Sequence, residues 1–262
     1  MPPITAALIT FNEERDLPQA LASLAGVADE FVIVDSGSTD RTGDIAREFG
    51  ARFIHRAFTD FAEQKNFAAD QAAHNWVLVL DADEVLSPEL RASLLRWKQR
   101  EPDCVAYRVS RKTNYLGAWI LHSGWYPDYI IRLQRRDRTR HVGSIHEAVR
   151  ADGPVGELNG DLLHYTVRSR AEYEAKVEVF TTLAAEDLYR RGRRHWRAAL
   201  CVVPAWTLLQ NFLLRRGFLD GRLGARIAWN GARYASIKYR KLGLLVRGGR
   251  LQHHEWPQAG NA

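Results

Sequence analysis

One junction recurs and constrains this chain more than anything else: a short apolar run stops at a polar turn, and a segment with helical spacing follows. Residues 4–9, 31–34 and 76–80 are such apolar runs, and 52–55 reads as a further strand. Leu17, Leu21 and Leu24 share one helical face, residues 40–49 stop at Gly50, residues 60–73 alternate polar and apolar, and Ser87-Pro88 opens a helix carrying Leu90, Leu94 and Leu95. Asn12 is a candidate cap for the first of these helices. Strands separated by helices run parallel and need cover on both faces. The pattern therefore predicts an α/β fold, a mostly parallel sheet with flanking helices. In such sheets ligands lie beyond the carboxyl ends of the strands, where Asp35 and Asp81 fall.

Residues 104–165 change character, with strand-like pieces at 105–109, 129–133 and 162–165 between Gly- and aromatic-rich loops. From Ser169 to about Leu242 the chain reads as long helices. At 262 residues with 46% hydrophobic and 26% charged side chains, the chain can bury a sizeable core. Disorder, collagen-like repeats and a multi-span membrane protein are excluded. Cys104 and Cys201 are too few for a disulfide framework and too far apart for a metal pair, so a reducing compartment is expected. The first residues lack the cationic start and apolar run of a signal peptide.

The net charge of +6 hides a polarity. Residues 1–187 carry −7 and residues 188–254 carry +14, with Asp220 the one acid in the second stretch. A basic tail on an acidic body fits an anionic partner surface, or else a soluble helical tail with charged faces.

The strongest chemical signal is Val79-Leu80-Asp81-Ala82-Asp83-Glu84, an apolar strand that ends in three acids. Neighbouring carboxylates repel and raise each other's pKa, and a hard divalent ion such as Mg2+ or Mn2+ held with substrate phosphates relieves that cost. A solvated turn reads the same way in isolation; the position after a buried strand favours the ion. The second signal is Val34-Asp35-Ser36-Gly37-Ser38-Thr39-Asp40, a strand running into a small hydroxyl-rich turn. Asp35 can accept hydrogen bonds from a base or ribose, Gly37 lets a ligand approach the backbone, and Ser38 or Thr39 can cap the next helix. The third is Thr10-Phe11-Asn12-Glu13-Glu14, a helix start or a ligand turn.

These pieces, in this order, resemble the nucleotide-sugar half of family 2 glycosyltransferases with the GT-A fold, a Rossmann-like sheet with flanking helices. The resemblance is carried by the T-x-N-E turn, the V-D-S-G-S-T-D-x-T loop, Gln64-Lys65-Asn66-Phe67-Ala68 and D-A-D-E. It implies that Thr10, Asn12, Glu13, Asp35, Ser36, Gly37, Lys65, Asp81 and Ala82 bind the nucleotide sugar, with Asp35 at the uridine and Lys65 at a phosphate, and that Asp83 binds the metal. A lysine on an exposed helix face is the ordinary alternative for Lys65. Asn114-Tyr115-Leu116-Gly117, Gly124-Trp125-Tyr126-Pro127-Asp128, Ile131-Arg132-Leu133 and Gly143-Ser144-Ile145-His146-Glu147 resemble the acceptor half of the lipopolysaccharide core enzymes of this family. Gly217-Phe218-Leu219-Asp220-Gly221 and Lys238-Tyr239-Arg240-Lys241-Leu242 fit the same group.

The resemblance implies an inverting, metal-dependent transferase that moves a hexose, glucose from UDP-glucose, onto an inner-core heptose; another membrane-linked glycan is the alternative acceptor. Glu147 is the candidate base. Many relatives have a Glu-Asp pair where this chain has His146-Glu147, so His146 is left as an alternative or support at the metal or diphosphate, or as a structural hydrogen bonder. Trp125, Tyr126, Asp128 and Arg132 are the candidate acceptor residues. Packing alone also explains the aromatics, and a solvated strand face explains Arg132 and Arg135. The domain reading is a catalytic domain over 1–166, divided into a nucleotide-sugar half 1–100 and an acceptor half 101–166, then a basic helical region 167–250 and a flexible tail 251–262.

Residues 198–214 read AALCVVPAWTLLQNFLL, flanked by Arg193, Arg194, Arg197, Arg215 and Arg216. A crossing helix needs about 20 predominantly apolar residues, so an in-plane helix on an anionic surface, with Trp206 at the interface, is the preferred reading. A buried core helix or a dimer interface is the alternative. A cytoplasmic enzyme, peripheral on the inner membrane, follows. A nucleic-acid binder explains the tail but not the acidic strand ends, and the chain has no zinc-finger spacing or RNA-binding signature. A catalytically inactive glycan-binding protein on the same fold is a further reading, and a nucleotidyltransferase is disfavoured by the missing glycine-rich basic phosphate loop.

Overall fold

The computed structural model describes residues 1–143 and 148–252. They form two compact units, residues 1–112 with 128–166 and residues 113–127 with 167 onward.

In the first unit the strand–helix alternation folds as its periodicity predicts. The elements are β1 (Ile4–Thr10), α1 (Leu17–Ser23), β2 (Glu30–Asp35), α2 (Thr42–Glu48), β3 (Arg52–His55), α3 (Phe61–Asp70), β4 (Trp76–Asp81), β5 (Glu84–Leu86) and α4 (Pro88–Trp97). The strands β6 (Ala106–Tyr115), β8 (Asp128–Arg135), β9 (Thr139–Val142), β10 (Ala148–Ala151) and β11 (Val155–Val167) follow; the short β7 (Ala118–Trp119), between β6 and β8 in sequence, belongs to the second unit. The main sheet has the order β3-β2-β1-β4-β8-β6-β11-β5, and β9 and β10 form a separate antiparallel pair. Its first four strands are parallel, and β8 pairs antiparallel with both β4 and β6. The sheet is therefore mixed: parallel from β3 to β4, with β8 running antiparallel between β4 and β6 and β5 antiparallel to β11 at the far edge.

Both faces of the parallel part are buried, as crossover helices require. Alternate side chains decide which helix each face receives. Ile4, Ala6, Leu8, Ile33, Leu78 and Leu80 pack with the apolar faces of α1, α2 and α4. Ala7, Val32, Val34, Val77 and Val79 pack with Ala68, Ala69 and Ala72 around α3. Capping follows the sequence at three helices: Asp60 accepts from Glu63 N, Ser87 from Leu90 N and Ser169 from Glu172 N. At α1 it does not. Residue Asp16 occupies the cap position, and Asn12, at φ +56°, instead accepts a hydrogen bond from Thr39 N at 2.8 Å.

The second unit contains α5 (Arg170–Arg190), α6 (Trp196–Leu209) continued by a π-helical turn (Gln210–Leu214), a 3-10 turn (Gly217–Asp220) and α7 (Gly221–Val246). A small core of Tyr115, Ile120, Val167 and Ile227 takes in Trp125 and Tyr173. Residues 196–214 form one helical rod of 19 residues, long and apolar enough to cross a membrane by length and composition. That is two residues longer than the apolar segment read from the sequence, because Trp196 and Arg197 join the helix.

Candidate active site

The carboxyl ends of β1, β2 and β4 lie side by side, since Thr10 is in register with Asp35 and Ile9 with Asp81. The three turns leaving these ends carry the motifs singled out above.

The first two turns lock each other. Asp35 is 2% exposed. Its Oδ1 accepts from Thr10 Oγ1 at 2.8 Å and from Ser38 Oγ at 2.5 Å, and its Oδ2 accepts from Gly37 N at 2.9 Å and Ser38 N at 2.8 Å. Four bonds fill the acceptor capacity of a carboxylate, so any ligand bond to Asp35 would have to replace one of them. Ser36 donates its N–H to Thr10 O at 2.9 Å and accepts from Gln64 Nε2 at 3.2 Å. Asn12 N donates to Ser38 Oγ at 2.7 Å, and Glu13 N to Thr42 Oγ1 at 2.8 Å. Gly37 has φ +103°, a conformation that favours glycine.

The third turn is an ion network. Lys65, buried on α3, places Nζ 2.8 Å from Asp81 Oδ1. Arg132, buried on β8, places Nη2 2.9 Å from Asp81 Oδ2 and 2.5 Å from Glu84 Oε1. Glu84, fully buried at the start of β5, also accepts from Asp81 N at 3.1 Å. Burial disfavours the charge on Asp81, but the Lys65 and Arg132 cations outweigh it and hold its carboxyl well below the usual carboxylate range. The same surroundings act the other way on His141, which lies 3.1 Å from the Gln134 amide. Burial, reinforced by Lys65 and Arg132 and opposed by Asp81, pushes His141 down to about 3, so it is neutral near pH 7. Of the two arginines on β8, Arg132 turns inward and Arg135 pairs with Asp137 outside.

Asp83 lies beside this network, and the His164 that it meets also acts on Asp81. Asp83 Oδ2 is 3.2 Å from His164 Nε2 on β11, and the Asp83 carbonyl accepts from Tyr165 N at 3.0 Å. The carboxylate oxygen is a hard donor that suits Mg2+ or Mn2+ when phosphate oxygens complete the shell, and the imidazole nitrogen beside it is a softer donor that favours Mn2+ over Mg2+. Among the described residues no group of three or more His, Cys, Asp or Glu side chains could hold an ion by itself. Ala82, between the two aspartates, is buried.

Other candidates fall in several places. Asp128 is paired with Arg111, Oδ2 to Nη2 at 2.7 Å. Trp125 and Tyr126 lie in the second unit, where Trp125 meets the Tyr115 ring edge-on at 6.3 Å between centroids. Their segment is strapped to the turn after α6. Both oxygens of Asp220 accept from His122, from its N–H at 2.9 Å and from its Nδ1 at 2.7 Å. Ser123 N donates to Arg215 O at 2.9 Å. Arg193, Arg194, Arg197, Arg215 and Arg216 are exposed, as is Trp206. Glu147 and His146 lie outside the described residues.

Three residues of the site escaped the sequence reading: Glu84 as the second anion for Arg132, His141 and His164. Glu84 was visible as the third acid of its run. Neither histidine carries a local signal, because each reaches the rim from a strand far along the chain.

Residues 5–152 match the glycosyl transferase family 2 profile. The chain is 31% identical over 253 residues to a lipopolysaccharide core biosynthesis glycosyltransferase, LpsC, of Rhizobium meliloti, covering 92% of each chain. It is 29% identical over 262 residues to an uncharacterized glycosyltransferase of Rickettsia typhi, covering 94% of this chain and 90% of that one. Among solved structures it is similar to Staphylococcus aureus TarS 1–349, at 16% identity and TM-score 0.44, over 95% of this chain and 92% of that one. The protein belongs to glycosyl transferase family 2 and is a glycosyltransferase of GT-A type. It is a homologue of a lipopolysaccharide core enzyme.

Proposed function

We propose that this protein is an inverting hexosyltransferase, assisted by Mg2+ or Mn2+, that moves glucose from UDP-glucose to a heptose of the lipopolysaccharide inner core. It works at the cytoplasmic face of the inner membrane. The observation that carries the reading is the rim of β4, where Asp83 and His164 sit beside the Lys65–Asp81–Arg132–Glu84 network.

Transfer with inversion needs a base on the acceptor side and positive charge on the leaving diphosphate. Asp83 and His164 would hold the divalent cation. When bound, such a cation neutralises charge growing on the diphosphate oxygens. Lys65 and Arg132 bring two further positive charges to the rim, and the Asp81 and Glu84 carboxylates fix their positions. The turns built on Thr10, Asn12, Glu13, Asp35, Ser36 and Gly37 shape the nucleotide end. Trp125, Tyr126 and Asp128 bind the acceptor. Glu147 takes the proton of the attacking hydroxyl as the new bond forms at the anomeric carbon and the bond to the diphosphate breaks.

The test is a panel of nucleotide sugars against truncated core acceptors, read by mass spectrometry with and without EDTA. Asp83→Ala abolishes EDTA-sensitive turnover in a protein that still melts cooperatively. Glu147→Gln lowers kcat about 10²–10⁴-fold while donor binding by calorimetry stays within twofold. Full activity of Glu147→Gln moves the base elsewhere, and turnover indifferent to EDTA removes the cation.

A further inference from the structure

In sequence Pro204, Gln210 and Asn211, and also Thr207, interrupt the apolar segment after Arg197. The fold turns Thr207 and Asn211 inward and leaves Gln210 half-buried, one turn from Trp206 and Leu213. Thr207 and Asn211 turn toward α7, where a Cβ added at Gly231 would meet Asn211 Nδ2 at 3.0 Å and Thr207 Cγ2 at 3.2 Å. Asn211 is buried there. The outward side carries Val202, Trp206, Leu209 and Leu213, exposed at 64%, 50%, 44% and 50%. No charged side chain occurs between Arg197 and Arg215, so a rod about 28 Å long presents one uncharged apolar strip. Exposed arginines stand at both of its ends.

An apolar strip of this kind suits hydrocarbon, and the neighbouring helices decide its orientation. Helix α7 runs antiparallel along the whole rod: Gly243 packs on the Trp196 ring at one end, and Gly231 on Thr207 and Asn211 further along. Between those two contacts α7 carries ion pairs to α5. Arg233 Nη2 lies 2.6 Å from Glu174 Oε2, and Lys241 Nζ lies 2.6 Å from Glu178 Oε1 with Thr181 and Thr182 also bonded to it. A rod crossing the bilayer would drag these pairs to hydrocarbon depth, which charged groups resist. A rod lying in the membrane plane keeps α7 and α5 on the water side, with only the strip submerged. The arginines at both ends then reach the same leaflet, and positive charge at both ends complements anionic headgroups.

We infer that the outward face of α6 and its π-helical turn is an in-plane docking surface for an anionic phospholipid leaflet, entering one leaflet without crossing. This fixes the mode and the side chains of the membrane association proposed above and stands independently of the transferred sugar. Cys201, exposed on this helix, is a native reporter. The full chain, with Cys104→Ala and a nitroxide on Cys201, is mixed with phosphatidylglycerol–phosphatidylcholine vesicles or with phosphatidylcholine alone.

Binding should be at least tenfold stronger to the anionic vesicles, and Cys201 should become accessible to oxygen at a depth of about 5–10 Å. Val202→Ser/Trp206→Ser/Leu213→Ser should lose at least tenfold in vesicle binding with an unchanged melting temperature. Three outcomes overturn the inference: a label that stays in water on bound protein, a label at the bilayer midplane, or a label shielded without lipid in a dimer seen by light scattering. Turnover of a truncated soluble acceptor, run in parallel without vesicles, separates the two readings. Loss of docking with turnover intact touches only this inference, and docking without turnover touches only the transferase reading.

Discussion

The rim of β4 and the outward face of α6 use charge in opposite ways. At the rim, Lys65, Arg132 and Glu84 are buried, and they and Asp81 each have an opposite charge within 3 Å. On α6 the side chains in water are apolar, and the arginines stand exposed at the ends. Removing a member of the first arrangement leaves an ion stranded away from water, whereas removing a member of the second returns already wet surface to water. Stability should therefore reside at the rim, and surface binding should be available for almost no folding cost on the helix. That contrast can be broken by measurement.

The largest effect is expected at Arg132. Arg132→Met removes the cation shared by Asp81 and Glu84 while keeping most of the side-chain volume. Breaking one partner of a buried pair costs about 3–5 kcal/mol, which for a chain of this size lowers the melting temperature by roughly 10 °C. Calorimetry checks it. A drop under about 2 °C would mean that the network is solvated and that the contrast with α6 is false.

A second effect depends on pH. His141 is held neutral in the fold, down to about 3, while an unfolded chain protonates it near its ordinary 6.5. Between these values the unfolded state binds the extra proton, so stability rises with pH across that window and is fully present above 6.5. The depressed Asp81 carboxyl acts in the same direction, but only below its ordinary 3.8. His141→Asn should flatten the dependence between pH 6.5 and 4, where the wild type loses about 3 kcal/mol. Urea midpoints at several pH values measure this. Parallel curves for the two proteins would assign the acid lability elsewhere.

Two strand ends were legible in the sequence because an apolar run that stops at an aspartate is a local pattern, which β2 obeys at Asp35 and β4 at Asp81, whereas β1 and β3 end at Thr10 and His55. Helix starts at Asp60, Ser87 and Ser169 were legible for the same reason. The site's partners were not. Lys65 reads as an ordinary helix lysine, and its burial depends on Asp81 arriving across the sheet, sixteen positions later. Arg132 reaches Asp81 because β8 pairs antiparallel beside β4, a pairing that no spacing encodes. His164 lies within the four positions of its strand that the sequence did mark, but nothing local shows that it meets Asp83, and β5 hides within the acidic run itself. On the C-terminal helices the sequence supplied the apolar stretch and its arginines, but which side holds Thr207 and Asn211 waits on the glycine at 231.

The smallest effect is the one that sharpens the contrast most. Trp206 is half exposed, so Trp206→Ser removes apolar area much of which the folded chain already leaves in water. Such surface changes fall within about 0.5 kcal/mol, and the urea midpoint should hardly move at constant slope. A large ring so exposed has no folding reason to be there, which is why a null result on stability is informative when the same variant is weighed against Arg132→Met. If Trp206→Ser instead cost more than about 1 kcal/mol, the indole would be covered in the folded chain. The face of α6 would then be an internal contact, and the division between a rim that stores stability and a helix face that spends none would fail.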